Sequence, residues 1–421
     1  MRAELLTVGS ELLSGATVNS NAADLARRLA AIGIVCQRQV SVGDARGNLV
    51  GALREALGRC DVLLITGGLG PTFDDLTMAA IAEAIGRPLK SHPAAAKTIR
   101  RFYAARHRGL RRAALRQAEL PVGGEPLPNP LGTAPGLWLR LPQGLLIALP
   151  GVPREMRAIL EQSVLPRLRR LERGTAVASR TLRTVGLVEL EIEAILRTLR
   201  LPAAIQVGLY PHLRMVDVRL TATGPSRRSV QRDLLEVERA LHRRLGAAVY
   251  GVDAETLEEI VGDRLMRQRK TLALAESCTG GLLSDRITSV PGSSRYLLGT
   301  VVSYHDAIKR DLLQVPAVIL RRHGAVSAQA ARAMARGARE ALGADIGLAV
   351  TGIAGPSGGT ARKPVGLVFL GFADANRTRS QRHQFFGDRA AIKAQAVQTA
   401  LDWLRRSLVR GAPPPARRWG R

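Results

Sequence analysis

Three side chains able to act as nucleophiles stand together in TLALAESCTGG, a segment typical of a buried strand that turns tightly into a helix. Ser277 and Thr279 carry hydroxyls, and Cys278 carries a thiol. Free N–H groups and the helix dipole after Gly280 and Gly281 would stabilise an oxyanion, and a serine at such an elbow is suited to nucleophilic attack. We therefore predict that Ser277 is a nucleophile. The alternatives are that Ser277 or Thr279 caps the helix and that Cys278 is a small buried residue.

A tyrosine and a lysine follow in the next predicted strand and turn. Tyr304 ends the predicted strand GTVVSY, and Lys309 comes five residues later. Unlike arginine, a desolvated lysine can lose its proton, so Lys309 can act as base to the serine, directly or through Tyr304. Only six of the 62 basic residues are lysines, and arginine supplies nearly all of the positive charge. A lysine at this position therefore calls for an explanation other than surface charge. The alternative is a solvated lysine at the start of a helix.

A glycine-rich loop, TGIAGPSGG, directly follows another predicted strand. Thr351, Gly352 and Gly355 belong to it, and its backbone N–H groups could bind a phosphate. The loop lacks the spacing of a P-loop or a dinucleotide fingerprint. Arg389, at the entrance of the last predicted helix, could add a bidentate phosphate contact; its alternative is a plain surface charge.

A second glycine-rich turn, TGGLGPTFDDLT, lies near the N-terminus and also follows a strand. Gly67 and Gly68 let the backbone approach a phosphate, and Asp74 and Asp75 could hold a divalent ion that bridges a pyrophosphate. The alternative is that both carboxylates merely cap the next helix. Asp44, at the end of the second strand, is either part of this site or a turn residue.

The elements that must position these residues alternate between strand and helix in both halves of the chain, which is typical of parallel sheets covered on both faces. The segment between them has alternating strands and a long Arg-rich helix. We predict an α/β protein with two parallel-sheet, three-layer α/β domains joined by a small α+β, KH-like unit. The predicted boundaries are 1–169 and 252–410 for the α/β domains, 174–251 for the connector and 411–421 for a disordered tail.

Composition limits the possible functions. The 421 residues include 46% hydrophobic but only 3% aromatic residues, too few for stacking platforms that bind single-stranded nucleic acid. The net charge of +27 would attract phosphates, yet the arginines are spread over the chain, so nucleic-acid binding is not expected. The three cysteines show no metal or disulfide spacing. With no long apolar stretch or signal peptide, we expect a cytoplasmic protein without a membrane partner.

The order and spacing of the motifs resemble a known family. The C-terminal region resembles the CinA C-terminal domain, which also occurs alone as nicotinamide mononucleotide (NMN) deamidase, through AESCTGG, GTVVSYHDAIK, HGAVS, TGIAGPSGG, KPVG and FGDR. Residues 1 to about 169 resemble the molybdopterin-binding MogA/MoaB-like domain of the same family through GSELLSGATVNSNAADLARRL, TGGLGPTFDDLT, NPLGTAPG and LPGVPREM. The middle segment resembles a KH-like fold without a GXXG loop, so we do not infer RNA binding from it.

The resemblance implies specific roles in the C-terminal region. Ser277 would attack the nicotinamide carboxamide, and Tyr304 and Lys309 would activate it. The substrate site would include Thr279, Gly280, Thr351, Gly352, Gly355 and Arg389. The sequence departs from the family pattern at Asp306, where asparagine is expected; a negative charge there favours the protonated form of the nearby lysine and would slow the reaction.

In the N-terminal region the resemblance implies an ADP-ribose pyrophosphatase that depends on a divalent metal. The matching acidic positions are Asp44, Asp74 and Asp75, with Asp74 and Asp75 as metal ligands and Gly67 and Gly68 beside the substrate. The amidase would need no cofactor, and we expect a homodimer whose small-molecule partners are NMN and ADP-ribose. Two other readings remain open: a non-enzymatic competence or DNA-damage factor that binds nucleic acid, and a pterin-binding protein.

Overall fold

The computed structural model describes residues 1–107, 109–110, 112–171 and 176–409. The chain divides into two compact units, Met1–Ser179 with Thr221–Leu234 and Arg180–Leu220 with Leu235–Arg421. The tail predicted at 411–421 lies outside the described residues. None of the described helices is long and apolar enough to cross a membrane.

The N-terminal region alternates strands and helices, as the hydrophobic pattern predicts. Its elements are β1 (Arg2–Val8), α1 (Ser10–Leu13), α2 (Ser20–Ala30), β2 (Val35–Val42), α3 (Arg46–Leu57), β3 (Val62–Thr66), α4 (Thr77–Ala84), β4 (Leu89–Ser91), α5 (Pro93–Ala105), β5 (Glu119–Pro121), β6 (Glu125–Leu127), β7 (Gly136–Leu141), β8 (Gly144–Leu149), α6 (Pro153–Ile159) and α7 (Leu165–Leu171). A π-helical turn joins α6 to α7. The helical segment after β8 is therefore continuous but changes its hydrogen-bond pattern in the middle.

The N-terminal sheet has the strand order β2-β1-β3-β8-β7-β6. Strands β2, β1, β3 and β8 are parallel, and β7 and β6 are antiparallel. Every residue of β3 is buried, because helices pack on both faces of the sheet. The turns after β1, β2, β3 and β8 meet at one edge, where the carboxyl ends of parallel strands lie together.

The connector contains β9 (Ala176–Val185), α8 (Glu189–Arg197), β10 (Ile205–His212), β11 (Met215–Gly224), α9 (Arg227–Leu245) and β12 (Val249–Val252). Its sheet has the order β10-β11-β9-β12. The buried residues of the Arg-rich helix α9 recur every three or four positions: Val230, Leu234, Val237, Leu241 and Leu245. This spacing gives α9 one apolar face and leaves its arginines on the other.

The C-terminal region contains α10 (Leu257–Arg267), β13 (Leu272–Glu276), α11 (Leu282–Thr288), β14 (Leu297–Val302), α12 (Asp306–Asp311), α13 (Ala317–His323), α14 (Ala328–Ala341), β15 (Ile346–Gly352), β16 (Leu367–Ala373), β17 (Thr378–Gln384) and α15 (Arg389–Ser407). Its sheet has the order β14-β13-β15-β16-β17. Strands β14, β13 and β15 are parallel, and β16 and β17 extend the sheet antiparallel.

The alanine-rich helix α14 packs unusually close to this sheet. A Cβ atom at Gly347 would lie 1.9 Å from the Ala335 carbonyl oxygen, and one at Gly371 would lie 1.9 Å from that of Ala331. Only glycine fits at these two positions. Small residues on the helix and the sheet thus form a dense core with few aromatic side chains, consistent with the composition.

The predicted fold class is confirmed: two α/β domains flank a small α+β connector. The structure corrects three local expectations. Both large sheets are mixed, since the last two strand pairings at one end of each sheet are antiparallel. Tyr304 lies beyond β14, which ends at Val302, and α4 begins at Thr77, after both aspartates that were expected to open it.

Candidate active site

The predicted C-terminal residues lie where three parallel strands end. Ser277 follows β13, Tyr304 follows β14, and Thr351 and Gly352 end β15. Strand β13 is hydrogen-bonded to β14 on one side and to β15 on the other. Carboxyl ends on either side of such a central strand form a crevice, which is the usual place for a ligand in an α/β fold.

Glu276 occupies the start of α11 and corrects the expected oxyanion site. Its carboxylate is fully buried and accepts hydrogen bonds from the N–H groups of Gly281, Leu283 and Ser284, at 3.0, 3.1 and 2.8 Å. These donors are therefore not free for a reaction intermediate, because a fixed negative charge already satisfies them. The glutamate holds the turn against the helix instead.

Ser277 is held on this turn and is not a helix cap. The N-cap of α11 is Gly281, at φ 96°, so neither Ser277 nor Thr279 occupies the cap position. Ser277 donates its N–H to the Val350 carbonyl oxygen at 2.9 Å and is 8% exposed. Within the described residues its Oγ has no hydrogen-bond partner. The hydroxyl is thus positioned by the backbone and left available for chemistry.

Cys278 and Thr279 lie deeper in the turn. Burial raises the pKa of the Cys278 thiol to about 12, so the thiol stays protonated near neutral pH. Cys278 therefore agrees with the alternative interpretation, that of a small buried residue. Thr279 is 0% exposed, and its Oγ1 has no partner in the described part of the chain. A buried hydroxyl without a partner costs stability, so Thr279 could satisfy itself by bonding a ligand oxygen.

Lys309 is not a solvated surface lysine. It is 1% exposed, and its Nζ donates to the carbonyl oxygens of Ser303 at 2.9 Å and Tyr304 at 3.4 Å. The Asp306 carboxylate lies 3.3 Å from Nζ, although its own side chain is 56% exposed. The negative charge expected from the departure at Asp306 is thus in direct contact with the lysine.

Arg389 connects two of the predicted segments. It donates to the Gly355 carbonyl oxygen and to the Tyr304 hydroxyl, both at 2.7 Å. This double contact goes beyond a plain surface charge. Among the described residues, however, no hydrogen bond joins Ser277 Oγ to Lys309 Nζ or to the Tyr304 hydroxyl. The structure gathers the three residues at one sheet edge without linking them directly.

The glycine-rich loop after β15 is tied down by its own residues. The Thr351 hydroxyl is fully buried and donates to the Ala325 carbonyl oxygen at 2.9 Å. A Cβ at Gly352 would lie 2.7 Å from the Leu367 carbonyl oxygen, so the position requires glycine. Thr351 and Gly352 therefore shape the loop rather than expose polar atoms. Gly355 enters the site through its carbonyl oxygen, which Arg389 holds.

Sequence reasoning missed Lys393, a second cation beside the serine turn. Its Nζ lies 3.8 Å from the position that a Cβ atom at Gly280 would occupy. Lys393 stands one helical turn after Arg389 on α15, so both charges face the same region. The scarcity of lysine and the four-residue spacing are signals that could have revealed it.

The N-terminal acidic residues do not cap α4. Both Asp74 and Asp75 accept hydrogen bonds from the Thr72 hydroxyl, and Asp75 also accepts the Thr72 N–H at 2.9 Å. Among the residues that the structure describes, Asp44 shares no hydrogen-bond partner with this pair. Its carboxylate accepts hydrogen bonds from the N–H and the hydroxyl of Ser10, at 2.9 and 2.7 Å. Within the described residues, no three His, Cys, Asp or Glu side chains form a metal-binding group.

The pair of aspartates still has a chemistry that suits a hard cation. Two carboxylates and a hydroxyl are oxygen donors, and Mg²⁺ is commonly bound by one or two carboxylates together with substrate phosphates. Gly67 and Gly68, at φ 110° and 65°, form the turn after β3, and the buried Thr77 hydroxyl donates to the Gly67 carbonyl oxygen at 2.8 Å. The glycine turn and the aspartates thus belong to one ordered segment.

Two asparagines that were not predicted as site residues lie at the same edge of the N-terminal sheet. Asn19 and Asn21 line a cavity of about 110 Å³ next to the ends of β1 and β3. Asn21 donates to Thr66 Oγ1 and to the Gly151 carbonyl oxygen, while its own Oδ1 is buried without a partner in the described part of the chain. The sequence NSN at residues 19–21 is the feature that could have indicated these two asparagines.

Three domain families match successive parts of the chain. Residues 4–170 match a family described as probable molybdopterin binding domain, residues 179–251 the damage-inducible protein CinA KH domain, and residues 254–408 the CinA C-terminal domain. These ranges correspond to the N-terminal region, the connector and the C-terminal region.

Relatives that match nearly the whole chain show the same likeness. The chain is 43% identical to a CinA-like protein of Salinibacter ruber, over 97% of this chain and 100% of the relative, and 45% identical to one of Parasynechococcus marenigrum, over 96% and 98%. It is 39% identical to the crystallised CinA of Thermoplasma acidophilum over 38% of this chain and 94% of that one, with a TM-score of 0.37. Matches of this identity along nearly the whole chain mean that it belongs to the CinA family.

Proposed function

We propose that this protein is an amidohydrolase that converts NMN and water into nicotinate mononucleotide and ammonia. The observation that carries the proposal is that an unbonded Ser277 hydroxyl and a buried lysine lie at the same sheet edge, together with the cations Arg389 and Lys393. A serine and a lysine supply a nucleophile and a base, and two cations suit the phosphate of a mononucleotide.

The proposed deamidation assigns a role to each of these residues. Ser277 Oγ attacks the carboxamide carbon and passes its proton to the neutral amine of Lys309, directly or through Tyr304. The conjugate acid then protonates the departing nitrogen, which leaves as ammonia, and an ester remains on the serine. Water hydrolyses this ester and returns the free hydroxyl. Of the backbone donors near Ser277, the Thr279 N–H has no acceptor in the described part of the chain and can stabilise the oxyanion.

Arg389 has a positioning role in this proposal. Its two hydrogen bonds hold the Tyr304 hydroxyl and the Gly355 carbonyl oxygen together across the site. A phosphate in the site would accept hydrogen bonds from the Arg389 guanidinium and from the Tyr304 hydroxyl. The simplest test is an assay of ammonia release from NMN by the full chain, in which the proposal expects turnover without added metal.

Replacing Asp306 by asparagine should accelerate NMN deamidation. The carboxylate contacts Lys309 Nζ at 3.3 Å and occupies the amine that must accept the serine proton. Because Asp306 is more than half exposed, solvent screens the pair, and we expect a gain of about two- to fivefold in kcat/KM near pH 7. Asp311→Asn, a similar change at the other end of α12, is the control. A slower Asp306→Asn enzyme would mean that the carboxylate assists catalysis.

We propose a second activity, metal-dependent hydrolysis of ADP-ribose, for the N-terminal region. The observation that favours it is the ordered segment in which the glycine turn precedes Thr72, Asp74 and Asp75 at the carboxyl end of β3. Asp74 and Asp75 would hold the divalent ion, which would neutralise charge on the pyrophosphate. The turn at Gly67 and Gly68 would let the backbone approach it.

Asp75→Asn should abolish ADP-ribose hydrolysis and leave NMN deamidation unchanged. Asparagine can still accept the Thr72 N–H, so the turn should lose only a few tenths of a kcal/mol, whereas a metal ligand would lose its charge. EDTA should likewise stop ADP-ribose hydrolysis and leave NMN deamidation unchanged. The control is Glu55→Gln, at an exposed carboxylate on α3. Normal ADP-ribose hydrolysis by Asp75→Asn would show that Asp75 only shapes the turn.

A further inference from the structure

A cavity of about 530 Å³ lies in the second compact unit, and its lining residues differ from those of both proposed catalytic sites. The connector contributes the end of β9, α8 and the end of α9 to its wall, and the C-terminal region contributes β17 and the last two turns of α15. None of Ser277, Tyr304, Lys309, Arg389 or Lys393 lines it. Its volume falls in the range usual for small-molecule sites.

Positive charge dominates the cavity. Four arginines line it, Arg214, Arg244, Arg382 and Arg406. The single lining carboxylate, Asp402, is already held by Arg405 and Arg406 at 2.6 and 2.7 Å. Among the described residues, Arg244 and Arg382 have no ion pair and no hydrogen bond to a side chain. The cavity therefore carries more positive charge than the protein itself neutralises.

Trp403 supplies an unused hydrogen-bond donor. The residue is 3% exposed, and its ring is fixed against Phe372, with centroids 5.8 Å apart. Trp403 lines the cavity, and its buried Nε1–H has no acceptor among the described residues. Burying an indole N–H without a partner destabilises a fold, so a ligand acceptor that reached this N–H would stabilise the complex.

The rest of the lining is uncharged. Val185, Leu187, Ile195 and Leu245 form an aliphatic wall. Burial lowers the pKa of His383 to about 4, so this lining imidazole is neutral near pH 7 and, like Gln381, offers hydrogen bonds rather than charge. A ligand that fills the cavity must therefore combine an anionic end with an uncharged, partly apolar body.

We propose that this cavity binds a nucleoside phosphate, with its phosphate groups on Arg244 and Arg382 and its base and sugar against the aliphatic wall and the Trp403 N–H. A phosphate monoester carries about −1.5 to −2 charges and three acceptor oxygens, which suits several guanidinium groups better than one carboxylate does. The site is separate from both proposed activities and does not depend on either.

Binding can be observed at Trp403 itself by NMR of the indole N–H groups in the full chain. The chain has three tryptophans, and Trp403→Phe identifies the Trp403 signal. ADP is the probe, titrated at about 0.15 M salt so that non-specific charge effects are screened. We expect a saturable shift of the Trp403 signal, and weaker shifts with adenosine or with inorganic pyrophosphate alone.

The double variant Arg244→Ala/Arg382→Ala should weaken ADP binding by roughly 100-fold, about tenfold for each guanidinium, with NMN turnover unchanged. Arg243→Ala, the neighbouring arginine of α9 that does not line the cavity, is the matched control and should bind ADP normally. An unmoved Trp403 signal at millimolar ADP, or equal binding by the double variant, would overturn the proposal. Pyrophosphate binding as tight as ADP would contradict the role assigned to the aliphatic wall.

Discussion

Ser277→Ala should reduce NMN deamidation by about 10⁶-fold and leave the fold intact. The magnitude is typical of removing the nucleophile from a serine hydrolase. The stability should barely change, because Ser277 Oγ has no hydrogen-bond partner in the described residues. The backbone anchors the residue, since its N–H donates to the Val350 carbonyl oxygen and its carbonyl oxygen accepts from the Gly280 N–H. Turnover of NMN and the melting temperature together separate loss of chemistry from loss of structure.

Cys278→Ala is the matched control for this experiment. The thiol neighbours the serine in sequence, but its pKa of about 12 keeps it protonated at the pH of the assay, so it is a poor nucleophile. We expect most of the activity to remain in this variant and little inactivation of the unmodified protein by iodoacetamide. An inactive Cys278→Ala variant beside an active Ser277→Ala variant would reverse the assignment.

Lys309→Arg and Lys309→Met should both lose NMN deamidation by about 10² to 10⁴-fold, the usual range for a general base. Arginine keeps the positive charge but cannot give up its proton near pH 7, so it cannot replace a base. The buried Nζ also ties α12 to the residues after β14 through two carbonyl oxygens, so the melting temperature must be measured alongside kcat. Lys270→Arg, at an exposed lysine, is the control.

A well-folded Lys309→Arg enzyme with normal kcat would contradict the base assignment and leave the lysine with a purely electrostatic role. A loss of kcat confined to Lys309→Met would lead to the same conclusion. The pair of variants thus distinguishes proton transfer from charge, which the position of the lysine alone does not do.

Much of the fold could be predicted because local patterns agree with the tertiary structure. The buried strand LALAE and the fully buried VLLIT read as central strands and are β13 and β3. The antiparallel edges were harder to predict. Strand β17, TRSQRHQ, is polar throughout, and neither its strand character nor its pairing with β16 follows from hydrophobic periodicity.

Residue types and their positions along the chain were enough to predict candidate catalytic residues, but not the contacts that these residues make. The scarcity of lysine singled out Lys309, and its burial now agrees with a special role. The sequence did not indicate that Glu276 would bind the N–H groups of α11, because a carboxylate at a strand end can point in several directions. Contacts such as Arg389 with Tyr304 join residues 85 positions apart, and no local pattern encodes them.

The most direct test of the proposed function is to identify the products of NMN and the species left on the enzyme. The full chain should release ammonia and nicotinate mononucleotide in equal amounts. An acid-quenched sample should contain a peptide spanning Ser277 whose mass is increased by the nicotinate mononucleotide acyl group, and Ser277→Ala should show neither. Release of nicotinamide in place of ammonia, or an acyl group attached to another residue, would contradict the mechanism.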